Sequence, residues 1–162
     1  MMWQGVAVLG FVTLQRLAEL ALSQRNTKTL LARGAYEVAP GHYPFLVLLH
    51  AAWLAALWFL GPGPPLEFVP LIIFALLQLA RLWVIATLGE RWTTRIIVLP
   101  GAPLVKSGPY RWFNHPNYLI VIGEIASLPL VFGLPMVAIV FSFLNGLMLW
   151  VRISCENRAL GR

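Results

Sequence analysis

The sequence predicts an all-α integral membrane protein of about five transmembrane helices, and three observations lead there. Hydrophobic residues fill 59% of the 162 positions and charged ones only 11%, with a mean hydropathy of +0.77; soluble domains carry charge on about a quarter of their residues. Apolar stretches recur at about residues 2 to 22, 44 to 61, 66 to 88, 118 to 132 and 136 to 151. The Lys and Arg residues gather in alternate connections between them.

The first stretch opens MMWQGVAVLGFVTL, without the basic n-region and small-residue cleavage site of a signal peptide, so it predicts a retained span. It and the next two stretches approach the roughly 20 residues a bilayer crossing needs. Gly61-Pro62-Gly63-Pro64-Pro65 is an uncharged turn between the second and third. The last two stretches are short and divided only by Gly133-Leu134-Pro135. They predict a tight helical hairpin that tilts little or does not cross at full thickness. No repeat, low-complexity tail or strand is predicted. Residues 1–162 then form a single membrane-embedded domain, whose chemistry must be built from helix ends and loops.

Charge sets the expected orientation. Arg25, Lys28 and Arg33 follow span one, Arg91, Arg95, Lys106 and Arg111 follow span three, and Arg152, Arg158 and Arg162 follow span five, while the GPGPP and GLP turns carry no basic residue. With five crossings every basic segment falls on one side, which the positive-inside rule makes cytosolic, with the amino terminus outside. The net charge of +6 is therefore a topology signal, and no nucleic-acid partner is expected. The lone cysteine, Cys155, has no partner for a disulfide and no companions for a metal site, so no metal is expected.

Ionisable residues inside the spans are costly unless paired or facing a cavity. Arg16 and Glu19 in span one, His50 in span two, Arg81 near Gln78 in span three and Glu124 in span four all fall roughly 9 to 10 Å below the cytosolic boundary. They converge on one level in the inner leaflet. Arg16 with Glu19 and Arg81 with Glu124 form structural pairs on one reading. On another, Arg16, Arg81 and Glu124 bind an acceptor, with His50 as a hydrogen-bonding or proton-accepting group.

Gly108 to Tyr118, GPYRWFNHPNY, is polar, aromatic and proline-punctuated and sits between two long apolar regions. Geometry before proline is extended and proline suits a first helical turn, so His115-Pro116 predicts a helix start at the membrane surface. Free first-turn amides there make a seat for a carboxylate or phosphate. Tyr110, Trp112, Phe113 and Tyr118 suit either the walls of a slot for a flat ring or an interfacial aromatic belt. At the carboxyl end the last helix continues into the cytosol, and Arg152 and Glu156 share a face, four residues apart. They either pair with each other or hold an anionic group and a cofactor's polar end.

The ordered set Gly108-Pro109-Tyr110-Arg111, His115-Pro116-Asn117-Tyr118 and Arg152 with Glu156-Asn157 resembles the signature of the isoprenylcysteine carboxyl methyltransferase family. The amino half, with Arg16, Glu19, Asn26, His42-Tyr43-Pro44, His50 and Leu88 to Arg95, resembles a compact bacterial branch. Members of that branch often accompany type III polyketide synthases and methylate hydroxyls of alkylresorcinols or alkylpyrones. Asn114 stands where the family usually has Arg before His-Pro, and Glu156-Asn157 replaces a frequent pair of glutamates.

The resemblance implies an S-adenosyl-L-methionine-dependent O-methyltransferase of the bacterial cytoplasmic membrane, with its active site on the cytosolic side. It assigns cofactor binding to the loop from Val105 through Gly108, Tyr110, His115, Pro116, Asn117 and Tyr118, together with Glu156. It assigns the meeting point of donor and acceptor to Arg152 and Glu156. Methyl transfer from a sulfonium needs alignment and exclusion of water and no metal. A carboxylate acceptor needs no base. A hydroxyl does, and the candidates are Glu156, His50 and Glu124 in that order. The acceptor is a lipophilic small molecule arriving from the bilayer. A prenylated cysteine carboxylate is the nearest alternative and a phospholipid amine the next. A small transporter subunit is the alternative of another class, but a transporter should place polar groups near the midplane and on both faces. Gly123, Ala126 and Gly146 suit close helix contact within one chain or between two, which leaves the oligomeric state open.

Overall fold

The computed structural model describes residues 2–161. Five helices account for most of it: α1 (Met2–Ala32), α2 (Tyr43–Leu60), α3 (Phe68–Leu88), α4 (Pro116–Val131) and α5 (Pro135–Leu160). α1, α2, α3 and α5 are each long and apolar enough to cross a membrane, and α4 is a shorter apolar helix. Their outward faces carry exposed large apolar side chains, among them Phe11, Leu14, Phe45, Leu48, Leu76, Leu79, Phe143 and Trp150. Such a surface is stable only in contact with lipid. This is an integral membrane protein.

The hairpin at Gly133-Leu134-Pro135 forms as the sequence predicts. Gly133 takes φ 66°, Pro135 opens α5, and the amide of Leu134 donates to Pro129 O. Only the first arm is short. α5 runs unbroken for 26 residues, carrying Arg152 and Glu156 outward on one helix. α4, with 16 residues, spans about 24 Å, less than the roughly 30 Å of hydrocarbon. It is tolerated because α4 lies inside the bundle. It packs against α3 and α5, and Ile125, Leu128 and Val131 join Leu9, Val12, Trp53, Leu57 and Phe74 in the main core. Gly123 belongs to this packing: a Cβ there would approach Leu77 of α3 to 2.7 Å, whereas Gly146 faces open space. The close approach is therefore within the chain.

Two differences from the sequence reading concern the connections at the end bearing the amino end of α4. α1 continues ten residues past the predicted end, to Ala32. No Gly or Pro interrupts it there, and Ser23, Asn26, Thr27 and Leu30, spaced as one helical face, are all buried. Where no strand was predicted, Tyr36–Glu37 (β1) and Ile97–Val98 (β2) form a two-residue antiparallel pair, Tyr36 against Val98 and Glu37 against Ile97. A pairing between loops so far apart leaves no periodicity in the sequence.

Gly108 fastens the long α3–α4 connection. It sits at φ 53°, and a Cβ would come within 2.5 Å of Thr87 Oγ1 on α3. Gly108→Ala is expected to cost about 1 to 2 kcal/mol from the left-handed backbone alone, read as a lower melting temperature in detergent. An unchanged melting temperature would show that the connection moves freely.

Candidate active site

Two cavities adjoin at the amino end of α4. The larger, of about 280 Å³, lies among α1, α2 and the inner residues of α3 to α5 and is lined by Thr13, Arg16, Leu17, Glu19, Leu20, Tyr43, Leu46, Val47, His50, Leu54, Arg81, Val121 and Leu149, among others. Apolar side chains make most of that wall. The smaller, of about 110 Å³, lies on the loop side and is lined by Arg91, Arg95, Ile97, Tyr110, Asn114, His115, Glu156 and Leu160, among others. Trp92, Thr93, Asn117, Tyr118 and Arg152 line both. These five form a seam between an apolar and a polar chamber.

Asn117 and Tyr118 come to the seam from α4 and Arg152 from α5, while Trp92 and Thr93 come from the α3–α4 connection. His115, with φ −133°, precedes Pro116 at the first helical position, so the helix starts where the sequence predicts. The amides of Tyr118 and Leu119 turn back to His115 O, which leaves Asn117 as the first-turn amide without a backbone partner among the described residues. The predicted anion seat shrinks to that one donor. Tyr118 stacks on His115 with ring centres 5.3 Å apart, and His115 Nε2 donates to Asn157 Oδ1 at 3.0 Å. That bond places the proton of the neutral ring on Nε2 and turns Nδ1 towards Glu156 Oε2, 3.7 Å away.

Arg152 and Glu156 make no direct ion pair among the described residues. Tyr118 stands between them: Arg152 Nε donates to its hydroxyl at 2.8 Å, and that hydroxyl donates to Glu156 Oε2. Arg152 is 4% exposed, and its Nη1, with Asn117 Oδ1 and Trp92 Nε1, is buried without a hydrogen-bond partner. Buried polar atoms are nearly always paired. These three lie on the seam, within reach of a molecule occupying either chamber.

The aromatic residues of GPYRWFNHPNY divide. Tyr110 and Tyr118 face the polar chamber, whereas Trp112 is 65% exposed and Phe113 53%. Trp112 instead meets Trp83 edge to face. Only the two tyrosines stand where a slot would need them, and the other two lie at the surface. Burial, then the Glu156 carboxylate, pushes the Tyr110 hydroxyl up from its ordinary pKa, so it stays protonated and able to donate at neutral pH. Val105, Gly108 and Pro116 line neither chamber; Gly108 and Pro116 act by setting the backbone.

The polar residues inside the spans meet at one hub, as their common depth predicts. Glu124 is 1% exposed. Its Oε1 accepts from Arg81 Nε at 2.8 Å and Gln78 Nε2 at 2.9 Å, and its Oε2 accepts from Arg16 Nη2 at 2.8 Å and from Arg81 Nη2. Arg16 Nη1 donates to Glu19 Oε2 at 2.7 Å. Two guanidiniums and two carboxylates thus cancel. Glu124 reaches neither chamber, whereas Arg16, Glu19 and Arg81 border the apolar one. Glu124 orients those groups and is too fully engaged to take a proton. His50 also borders the apolar chamber, its Nδ1 donating to Leu46 O at 2.9 Å.

The sequence reading missed the role of α1's polar extension. Asn26 Nδ2 donates to Gly89 O at 3.2 Å and Trp92 O at 2.8 Å, and Ser23 Oγ accepts from Thr94 N at 2.8 Å. Tyr43 OH meets Thr94 Oγ1 at 2.9 Å, and the Arg95 guanidinium lies 4.1 Å over the Tyr43 ring. Trp92 and Thr93 are thereby held in the seam. The signal was the i, i+3, i+4, i+7 spacing of Ser23, Asn26, Thr27 and Leu30, hidden because three of the four are polar.

Fold and site define a polytopic helical membrane protein in which an apolar chamber meets a polar one across a single wall. The chain belongs to the isoprenylcysteine carboxyl methyltransferase family, whose model matches residues 69–162. Similar chains include the uncharacterized protein YpbQ of Bacillus subtilis (strain 168), 35% identical over 99% of this chain and 96% of the relative. An uncharacterized protein of Haemophilus influenzae is 30% identical over 90% of this chain and 88% of its own. No solved structure matches. Members of the family are methyltransferases that use S-adenosylmethionine.

Proposed function

We propose that this protein is an S-adenosyl-L-methionine-dependent O-methyltransferase of the bacterial cytoplasmic membrane, acting on the hydroxyl of a lipophilic alkylresorcinol or alkylpyrone. The observation that carries the reading is the pair of chambers, one polar and one apolar, sharing a wall that contains Arg152, Tyr118 and Asn117. In this reading one domain holds both chambers, and the polar one faces the cytosol, in keeping with the positive-inside rule.

The polar chamber fits the cofactor. Tyr110 and Tyr118 supply aromatic faces for an adenine, Asn114, Asn117 and His115 supply polar contacts, and the Glu156 carboxylate favours a cation. When bound there, the cofactor supplies an electrophilic methyl group. Arg152 holds the acceptor oxygen at the seam and favours its anionic form. The acceptor's proton passes to Tyr118 Oη as Tyr118 passes its own to Glu156 Oε2, so Glu156 is the base acting through Tyr118. The packed wall of Trp92 and Thr93 keeps water from the reacting atoms.

A prenylated cysteine carboxylate is the second reading, favoured by Arg152, the one guanidinium of the apolar chamber outside the neutralised hub. The cofactor half is tested by calorimetric titration with S-adenosylhomocysteine. Saturable binding is expected, weakened about tenfold or more in His115→Ala, which removes the ring stacked on Tyr118. No binding to folded wild-type protein in detergent and in lipid would overturn the methyltransferase reading. Acceptor assays with an alkylresorcinol and a farnesylated cysteine then separate the two readings.

A further inference from the structure

We infer that His50 makes the inner half of the apolar chamber a second recognition site, for a hydroxyl of the acceptor other than the one that is methylated. The inference rests on the acceptor reading above and narrows it to the alkylresorcinol, a long-chain phenol with a second hydroxyl.

The chamber is deep. Ser23 is bonded to Thr94 at its loop-side end and Thr13 borders the other end, ten residues along α1, or about 15 Å. Arg152 and Tyr118 lie at the seam. His50 lies seven residues, about 10 Å, into α2 from Tyr43, and the charges near enough to act on it are those of Arg16, Arg81 and Glu124. It belongs to the level of the hub.

At that level the charged groups are engaged with one another apart from Arg16 Nε, a buried donor without a partner. Both terminal nitrogens of Arg16 donate to carboxylates, Glu19 accepts from Arg16 and Gln15, and Arg81 is held by Glu124. His50 differs. A carbonyl can only accept, so its bond to Leu46 O puts the proton of the neutral ring on Nδ1 and leaves the Nε2 lone pair without a partner among the described residues. The chamber it borders is lined by Leu17, Leu20, Val47 and Leu54. A lone pair in an apolar chamber selects a hydrogen-bond donor. A hydroxyl satisfies it, while a carboxylate or a bare alkyl chain does not. His50 and Arg16 also precede residue 69, where the family match begins, so this site is a feature of the amino half.

The test measures binding without cofactor, by tryptophan fluorescence in lipid nanodiscs, of a 5-alkylresorcinol and a 3-alkylphenol of equal chain length. Wild-type protein is expected to bind the resorcinol about tenfold more tightly. His50→Phe should abolish that preference while keeping the affinity for the monophenol. His50→Gln, which retains an acceptor, should restore part of it and serves if the first variant does not fold. Equal affinities in the wild type, a preference that survives His50→Phe, or no binding of either lipid would overturn the inference. Methylation is assayed on the same samples. A preference without turnover would sink the transferase reading and leave the second site standing, and turnover without preference would do the reverse.

Discussion

Arg152→Ala is expected to lower kcat by on the order of 10² to 10³, the usual effect of removing a donor aimed at a developing oxyanion. Its side chain is buried at the seam, with Nε on the Tyr118 hydroxyl and Nη1 unpartnered. Under the proposed reaction the variant loses both the cation that would face the acceptor oxygen and the anchor that aims Tyr118 at Glu156. S-adenosylhomocysteine should still bind, because Tyr110, His115 and Glu156 remain. Arg152→Lys should recover little, since an ammonium cannot reproduce the Nε contact and a second directed N–H together. The check is single-turnover kinetics alongside calorimetry. Equal loss of turnover and cofactor affinity in a folded variant would show that Arg152 belongs to the cofactor chamber instead.

Glu124→Leu should have the largest effect on stability, a loss of about 3 to 5 kcal/mol, because removing one member of a buried ionic cluster leaves its partners uncompensated. Arg16 and Arg81 both lean on this carboxylate, and the loss would leave two guanidiniums inside the bundle with only Glu19 between them. Glu19→Gln should cost less, because Arg16 keeps its bond to Glu124. Unfolding in mixed detergent, followed by circular dichroism, reads both variants. Equal midpoints for Glu124→Leu and the wild type would show that the hub does not hold the helices together.

The helix count, the turns and the hub were legible because each rests on a signal the bilayer enforces. Apolar length, proline and glycine at turns, and the cost of a charge in hydrocarbon act on local sequence or on depth, so Arg16, Glu19, Arg81 and Glu124 could be placed at one level. Which of them face a chamber was not legible, since it depends on helix rotation. The true length of α1 was hidden for a related reason: Ser23, Asn26 and Thr27 read as a polar loop until Gly89, Trp92 and Thr94 are brought against them. Trp112 and Phe113 could not be told from Tyr110 and Tyr118, because all four are aromatic and only tertiary packing turns two inward.

By itself the sequence determined that this chain lives in a membrane, how many apolar helices it has and where the turns between them lie. Hydrophobicity and steric preference act residue by residue, so a string of letters carries them. The tertiary structure alone decided that the short helix is the interior one and that Tyr118 stands between Arg152 and Glu156. It also decided that Glu124 is enclosed while His50 faces the apolar chamber. Those facts depend on how five helices are rotated and packed, and rotation is set by contacts between residues far apart in the chain.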